Sequence, residues 1–239
     1  MKPIALLSLA AGSLAASAAA FANVTFYDGT LLDQDWTVTT ITNGVAIGST
    51  VSSGHVLAGG NGGSWMQVNI AGVVQGAFAS VFGIHMNVGA FYDPSSQGAV
   101  TAMDYSEDSI NLLPLSGDGQ VTGLAIIQNG TIYVQRSPLL VMPYSGFSDW
   151  MQNAAPGLQA TDLWELTGSG LLDSTSNPDW SITGSTMQLG FYRGSSSGFG
   201  TEDFFREAGI DNWRVHIIPA PAAMLPLLCA VGLVSRRRR

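Results

Sequence analysis

The stretch VTGLAIIQNGTIYVQ, residues 121–135, decides the fold. Two runs rich in β-branched and aliphatic residues flank Asn129-Gly130, and Asn-Gly tolerates the positive φ angles that a two-residue type I′ turn requires. The stretch therefore predicts a tight β-hairpin with strands over 121–128 and 131–135. Outward from it, similar runs closed by Gly, Asn, Asp or Ser recur at Val24 to Tyr27, Trp36 to Ile41, Trp65 to Ile70 and Phe78 to Met86, then at Thr186 to Arg193 and Ile210 to Ile218. Short runs separated by turn residues argue for an antiparallel sandwich rather than alternating βαβ units. Only Ala160 to Leu166 reads as a short helix. The Gly/Ser stretches Gly59 to Ser64 and Gly194 to Gly200 read as loops, and no linker or internal repeat divides the chain. The expectation is one all-β domain, an antiparallel two-sheet jelly-roll sandwich over residues 23–217.

The charge of the 239-residue chain is unevenly spread. Of nine basic residues, Lys2 and the run Arg236, Arg237, Arg238 and Arg239 lie at the ends, leaving Arg136, Arg193, Arg206 and Arg214 against all 17 acids, a net charge of −13 for the body. Such a surface repels phosphate backbones, which excludes nucleic acid as a partner. The single cysteine, Cys229, lies in the C-terminal apolar run, so the body forms no disulfide of its own.

Both ends carry export signals. Lys2, the apolar stretch Ile4 to Ala20 and the Ala20-Phe21-Ala22 cleavage pattern make residues 1–22 a signal peptide, cut by signal peptidase before Asn23. At the other end, residues 218–239 combine Pro219-Ala220-Pro221, an apolar run from Ala222 to Val234 and the four terminal arginines Arg236, Arg237, Arg238 and Arg239. Thirteen residues rise only about 20 Å as a helix, short of the ~17 to 25 residues of a full span. The arginines would hold the end of this transmembrane helix on the cytoplasmic side. A weak anchor of this kind suits transient retention, with an ordinary uncut anchor as the alternative.

That order of proline motif, apolar segment and arginine cluster resembles the PEP-CTERM sorting domain, with Ala220 standing where the motif has Glu. The resemblance implies processing by an exosortase, a membrane peptidase, and release to the cell surface or an extracellular polysaccharide matrix. The body resembles concanavalin A-like and carbohydrate-binding jelly rolls. The residues that carry this likeness are Gly59-Gly60-Asn61-Gly62-Gly63-Ser64-Trp65, Asp104 to Asp108, Gln128 to Val134, Leu189-Gly190-Phe191 and Gly209 to Val215. It implies a role with polysaccharide and carries over no catalytic residue.

Strand alternation sorts the candidate site residues. Asp28 shares parity with Val24 and Phe26, and Asp211 with Trp213, Val215 and Ile217. If the terminal strands lie side by side, the two carboxylates approach and repel unless a cation intervenes, and hard oxygen donors suit a structural Ca²⁺. The alternative is that Asp28 forms a turn and Asp211 accepts backbone hydrogen bonds. Asp104, Glu107 and Asp108 read as a second, solvated acidic turn. Trp65 and Gln67 alternate away from Met66, Val68 and Ile70, and Tyr133 and Tyr192 show similar polar-face patterns. The four residues would line a glycan-binding surface if their strands share a sheet.

Signals for catalysis are poor. Gly194 to Gly198 matches G-x-S-x-G only within a Gly/Ser loop, without the strand-to-helix turn a nucleophile elbow needs. His55, His85 and His216 are too scattered for zinc. The reading is a non-enzymatic, exported, polysaccharide-associated binding module, the alternatives being a divergent glycan hydrolase or a purely structural surface protein.

Overall fold

The computed structural model describes residues 21–44, 46–75, 78–113, 120–141, 149–197 and 202–221. Two antiparallel sheets stack face to face, as the alternating runs predict. One contains β1 (Val24–Asp28), β3 (Thr50–Val56), β4 (Trp65–Gly72), β6 (Val100–Leu113), β10 (Met151–Leu158) and β14 (Phe204–Pro219). Its order is β10-β6-β14-β4-β3, with β1 also on β14. The other contains β2 (Trp36–Thr42), β5 (Ser80–Tyr92), β7 (Val121–Gln128), β8 (Thr131–Gln135), β9 (Leu139–Leu140), β11 (Leu163–Leu166), β12 (Leu172–Asp173) and β13 (Met187–Ser196). Its order is β12-β11-β8-β7-β13-β5-β2, with β9 also on β7. The central hairpin forms as read: Gln128 pairs with Thr131, and Asn129 and Gly130 have φ of 54° and 79°.

The interior is filled by the inward rows of both sheets. Met66, Val68 and Ile70 of β4 are fully buried, as their alternation predicts, and share the core with Trp213, Val215 and Ile217 of β14. Leu124, Ile126, Leu189 and Phe191 pack from the opposite sheet. At the centre, Trp36 stands edge-on to Trp213, with ring centroids 5.0 Å apart, and 5.2 Å from Phe191. A second apolar cluster lies on the outer face of the eight-stranded sheet, built from Ile41, Ile84, Met86, Val134, Leu166 and Tyr192. The β11–β12 connection helps to cover it. Gly170 approaches the end of β2 so closely that a Cβ there would lie 2.6 Å from the Asn43 amide, so the sheet curls until its two edges nearly meet.

Two expectations are corrected. The segment 160–166 is a 3₁₀ turn, Ala160–Asp162, followed by β11, because Leu163 and Leu166 are drawn into clusters on opposite faces of one sheet. The stretch Asp104 to Asp108 is no solvated turn. It lies inside β6, between β10 and β14, where Glu107 is 1% exposed. Its charge is met by Arg193 of β13 (3.0 Å) and by hydroxyls of Thr122 (2.9 Å) and Tyr105, both donating to the carboxylate.

At the termini, β14 runs through Ile218 and Pro219, two residues beyond the expected end of the body, and the Ala220 amide donates to the Ala99 carbonyl. Ala20 of the expected cleavage pattern lies outside the described residues, and so does the arginine cluster of the expected sorting tail, Arg236, Arg237, Arg238 and Arg239. Among the described residues, no helix is long and apolar enough to cross a membrane.

Candidate functional site

β14 exchanges partners along its length. It pairs with β4 through Phe204–Ile210 and with β1 through Trp213–Ile217, while β6 follows its other edge. Asp211 and Asn212 fall between the two partners, where the register to β6 also shifts and Asn212 takes a φ of 51°. This bulge overturns the expected parity: Ile210 and Trp213 both face the core, and Asp211 turns outward beneath the loop Gly59 to Ser64.

The oxygen atoms around Asp211 converge. A Cβ placed on Gly60 would lie 2.7 Å from Asp211 Oδ2, 2.8 Å from the Ser64 carbonyl oxygen and 3.0 Å from that of Gly63. Asp211 Oδ1 accepts the Asn212 amide (2.7 Å), whereas Oδ2 is buried without a well-aligned partner. Burial raises the Asp211 pKa against the lowering effect of the Asn212 and Asn61 amides, and the charges of Asp108 and Asp28 raise it further. A carboxylate oxygen without a well-aligned donor, facing backbone carbonyls, is a donor set that fits a hard cation.

Asp28 has a different use. Its Oδ1 accepts the amides of Thr30 (2.9 Å) and Leu31 (2.8 Å) and the Thr30 hydroxyl, and its Oδ2 accepts the Trp36 indole N–H (2.9 Å). These bonds lower its pKa in spite of burial. They fold the turn after β1 and leave Asp28 acting on Asp211 only through its charge. Among the described residues, no three His, Cys, Asp or Glu side chains gather as a metal site, so any cation held here relies on backbone oxygens.

The four aromatic and amide candidates do not share a surface. Trp65 and Gln67 belong to β4 in one sheet, Tyr133 and Tyr192 to β8 and β13 in the other. Trp65 is 9% exposed, donates its N–H to the Ala58 carbonyl (3.0 Å) and meets the edge of Trp150 over Gly209. Gln67 donates to Glu207 (2.6 Å) and Asn69 (3.2 Å). Tyr133 packs against the core between the sheets. Tyr192 borders a cavity on the outer face of the eight-stranded sheet.

That cavity is a groove of about 370 Å³. Its floor holds Phe82 and Tyr192, ring centroids 6.5 Å apart and tilted by 49°, and its wall includes Phe78, which is 57% exposed. Gly194 separates Phe82 from Val121 in register, and a Cβ there would lie 3.1 Å from each side chain, so glycine keeps the floor low. The Tyr192 hydroxyl donates to the Gln135 carbonyl (2.9 Å), and burial raises its pKa. Arg136 stands at the rim, 3.1 Å from Asp162 and over the Trp164 ring, beside Ser195 and Ser196. Ser195 and Ser196 of the G-x-S-x-G match thus end a strand and line the groove, and Gly198 lies outside the described residues. Reading 131–135 and 186–193 as strands locates the groove's sheet, but nothing local to Phe78, Phe82 and Arg136 announces that they meet.

The sequence matches no protein-family model and no curated protein. Among solved structures, the chain is similar to the CBM22-1 xylan-binding domain of Paenibacillus barcinonensis Xyn10C, at 10% identity and a TM-score of 0.36, covering 85% of this chain and 97% of that one. It is also similar to the N-terminal CBM22-1-CBM22-2 tandem domain of the same Xyn10C, at 11% identity and a TM-score of 0.35, covering 90% of this chain and 49% of that one. A further similarity is to SGBP-B from a complex xyloglucan utilization locus in Bacteroides uniformis, at 17% identity and a TM-score of 0.33, covering 70% of this chain and 46% of that one.

Proposed function

We propose that the protein is an exported, non-enzymatic binding module that holds a polysaccharide chain in the groove on the outer face of its eight-stranded sheet. The observation that carries this reading is the groove's composition. Aromatic faces at Phe78, Phe82 and Tyr192 suit the C–H faces of pyranose rings, and Arg136 at the rim, with Ser195 and Ser196 in the lining, makes part of the wall polar. The buried carboxylate Glu107 is sealed between the sheets by Arg193, Tyr105 and Thr122, away from this groove. Phe78→Ala tests the reading, because an exposed ring can be removed without opening the core. Retardation in affinity gels containing neutral polysaccharides should weaken roughly tenfold, the equivalent of ~1.4 kcal/mol. Equal retardation of the variant and the parent protein, or none of either, would refute binding in the groove.

The same reading includes a structural Ca²⁺ held by Asp211 Oδ2 with neighbouring backbone carbonyl oxygens, supported by the Oδ2 atom that lacks a well-aligned partner and lies close to the Gly63 and Ser64 carbonyls. It also includes removal of residues 1–22 by signal peptidase and exosortase-type processing near Pro219-Ala220-Pro221, which would leave the module at the cell surface or in the extracellular matrix. The sequence of the two ends supports this route. Pro219 pairs in register with Val100, so the proposed cut would fall beside the edge of the sheet.

A further inference from the structure

The six-stranded sheet presents a polar outer face of a different character. Its strands set side chains in rows across the sheet: Tyr27, Arg214, Ser106 and Ala154 in one, and Thr25, His216 and Asp104 in the next. Between them lies a depression of about 190 Å³ bordered by Arg214, His216, Asp104, Ser106 and Pro156.

Arg214 is the unusual member. The body holds four arginines among 17 acids. Arg136 pairs with Asp162 and Arg193 with Glu107, but the Arg214 guanidinium makes no ion pair or hydrogen bond with a described residue. In so acidic a chain, a partner for an exposed guanidinium is easily supplied, and this one points into a depression instead. The groups around it are held in place. The His216 ring is fixed by the Thr25 hydroxyl at Nδ1 (2.8 Å) and by the Asn23 amide at Nε2 (3.4 Å). One oxygen of Asp104 accepts the Gly157 amide (2.7 Å), and its other oxygen has no described partner.

We infer that this depression is a second saccharide site, which takes a hexuronate residue: Arg214 receives the sugar carboxylate and Asp104 accepts a ring hydroxyl. A planar guanidinium matches a carboxylate with two parallel hydrogen bonds. The net charge of −13 on the body sets a limit on the polymer, since a densely charged polyanion is repelled much more strongly than a chain bearing an isolated carboxylate. The ligand is therefore a largely neutral polysaccharide that bears scattered uronate groups.

The site lies on the opposite sheet from the groove that contains Phe78, so the two fail independently. The test uses protein purified from cells expressing the full chain, in affinity gels of glucuronoxylan, arabinoxylan and polygalacturonate. The parent protein should be retarded at least tenfold more strongly by glucuronoxylan than by polygalacturonate. Arg214→Gln should reduce its glucuronoxylan binding to the arabinoxylan level, while Phe78→Ala retains the difference between the two xylans. Arg214→Lys, which keeps the charge without the planar fork, should fall between. Equal binding of glucuronoxylan by Arg214→Gln and the parent, a parent that does not distinguish the two xylans, or preference for polygalacturonate would each overturn the inference.

Discussion

His85 shows how far burial can alter a single side chain. It is fully buried, its ring lies flat against Phe191 with centroids 4.5 Å apart, and burial with the nearby Arg193 charge lowers its pKa to about 3. The unfolded chain takes up a proton near pH 6.5 that the folded chain refuses until about pH 3. This contribution to stability is complete above pH 6.5 and shrinks as the pH falls, by about 2 kcal/mol at pH 5. Urea unfolding at pH 7 and pH 5 should show that loss in the parent protein and much less of it in His85→Gln. The two proteins share Glu107, whose carboxyl burial raises and which therefore acts in the opposite sense, so their difference isolates the histidine. In sequence, His85 is legible only as a residue in a strand. Glu107 reads there as part of a solvated turn because its neutralising partner, Arg193, lies 86 positions away.

Among the elements, β14 concentrates the most information. Its apolar row from Trp213 to Ile217 is legible from alternation, but the bulge at Asp211-Asn212 is not, because it arises where β4 gives way to β1 as a neighbour. Asn212 tolerates the left-handed conformation and uses its side chain there, donating to the Asn61 carbonyl (3.0 Å) and Asp108 (2.8 Å) and accepting from the Tyr27 hydroxyl (2.6 Å). Asn212→Val should cost ~1–3 kcal/mol through backbone strain alone, with the lost hydrogen bonds added. Asn212→Gly keeps the backbone and loses only the side-chain bonds, so its urea midpoint should lie between those of the parent and the valine variant. β6 and β10 are hidden in the sequence for a related reason. Acids and amides interrupt their apolar pattern, and their positions are fixed by pairing with β14 and with each other rather than by a clean period of two.

For the whole molecule, the acidic body without a disulfide is joined at its seam by the loop Gly59 to Ser64, β1 and β14. The proposed Ca²⁺ would bind only the folded chain, so added Ca²⁺ should raise Tm and a chelator should lower it. Asp211→Asn should abolish that response. In chelator it should be at least as stable as the parent, because burial and the neighbouring Asp108 and Asp28 already disfavour the carboxylate charge. A Tm indifferent to both reagents would remove the metal. Intact mass measured on protein from the producing cells tests the two terminal cuts together. The expected species begins at Asn23 and lacks Arg236, Arg237, Arg238 and Arg239, and a protein that retains those arginines would contradict processing.

The sequence by itself determined the all-β class, the central hairpin at Asn129-Gly130, the buried row Met66, Val68 and Ile70, and the acidity of the body. Each of these follows from a local pattern: a turn that needs positive φ, a period of two, a count of charges. Tertiary structure alone decided that Trp65 and Tyr192 lie in different sheets, that Tyr133 faces the core, and that Glu107 meets Arg193 in the interior. It also decided that Asp211 faces carbonyl oxygens beside Gly60 and that Arg214 borders a polar depression. The physical reason is that alternation assigns a side chain to one of two faces, whereas strand order, bulges and sheet curl determine which distant face it meets, and those depend on partners far along the chain.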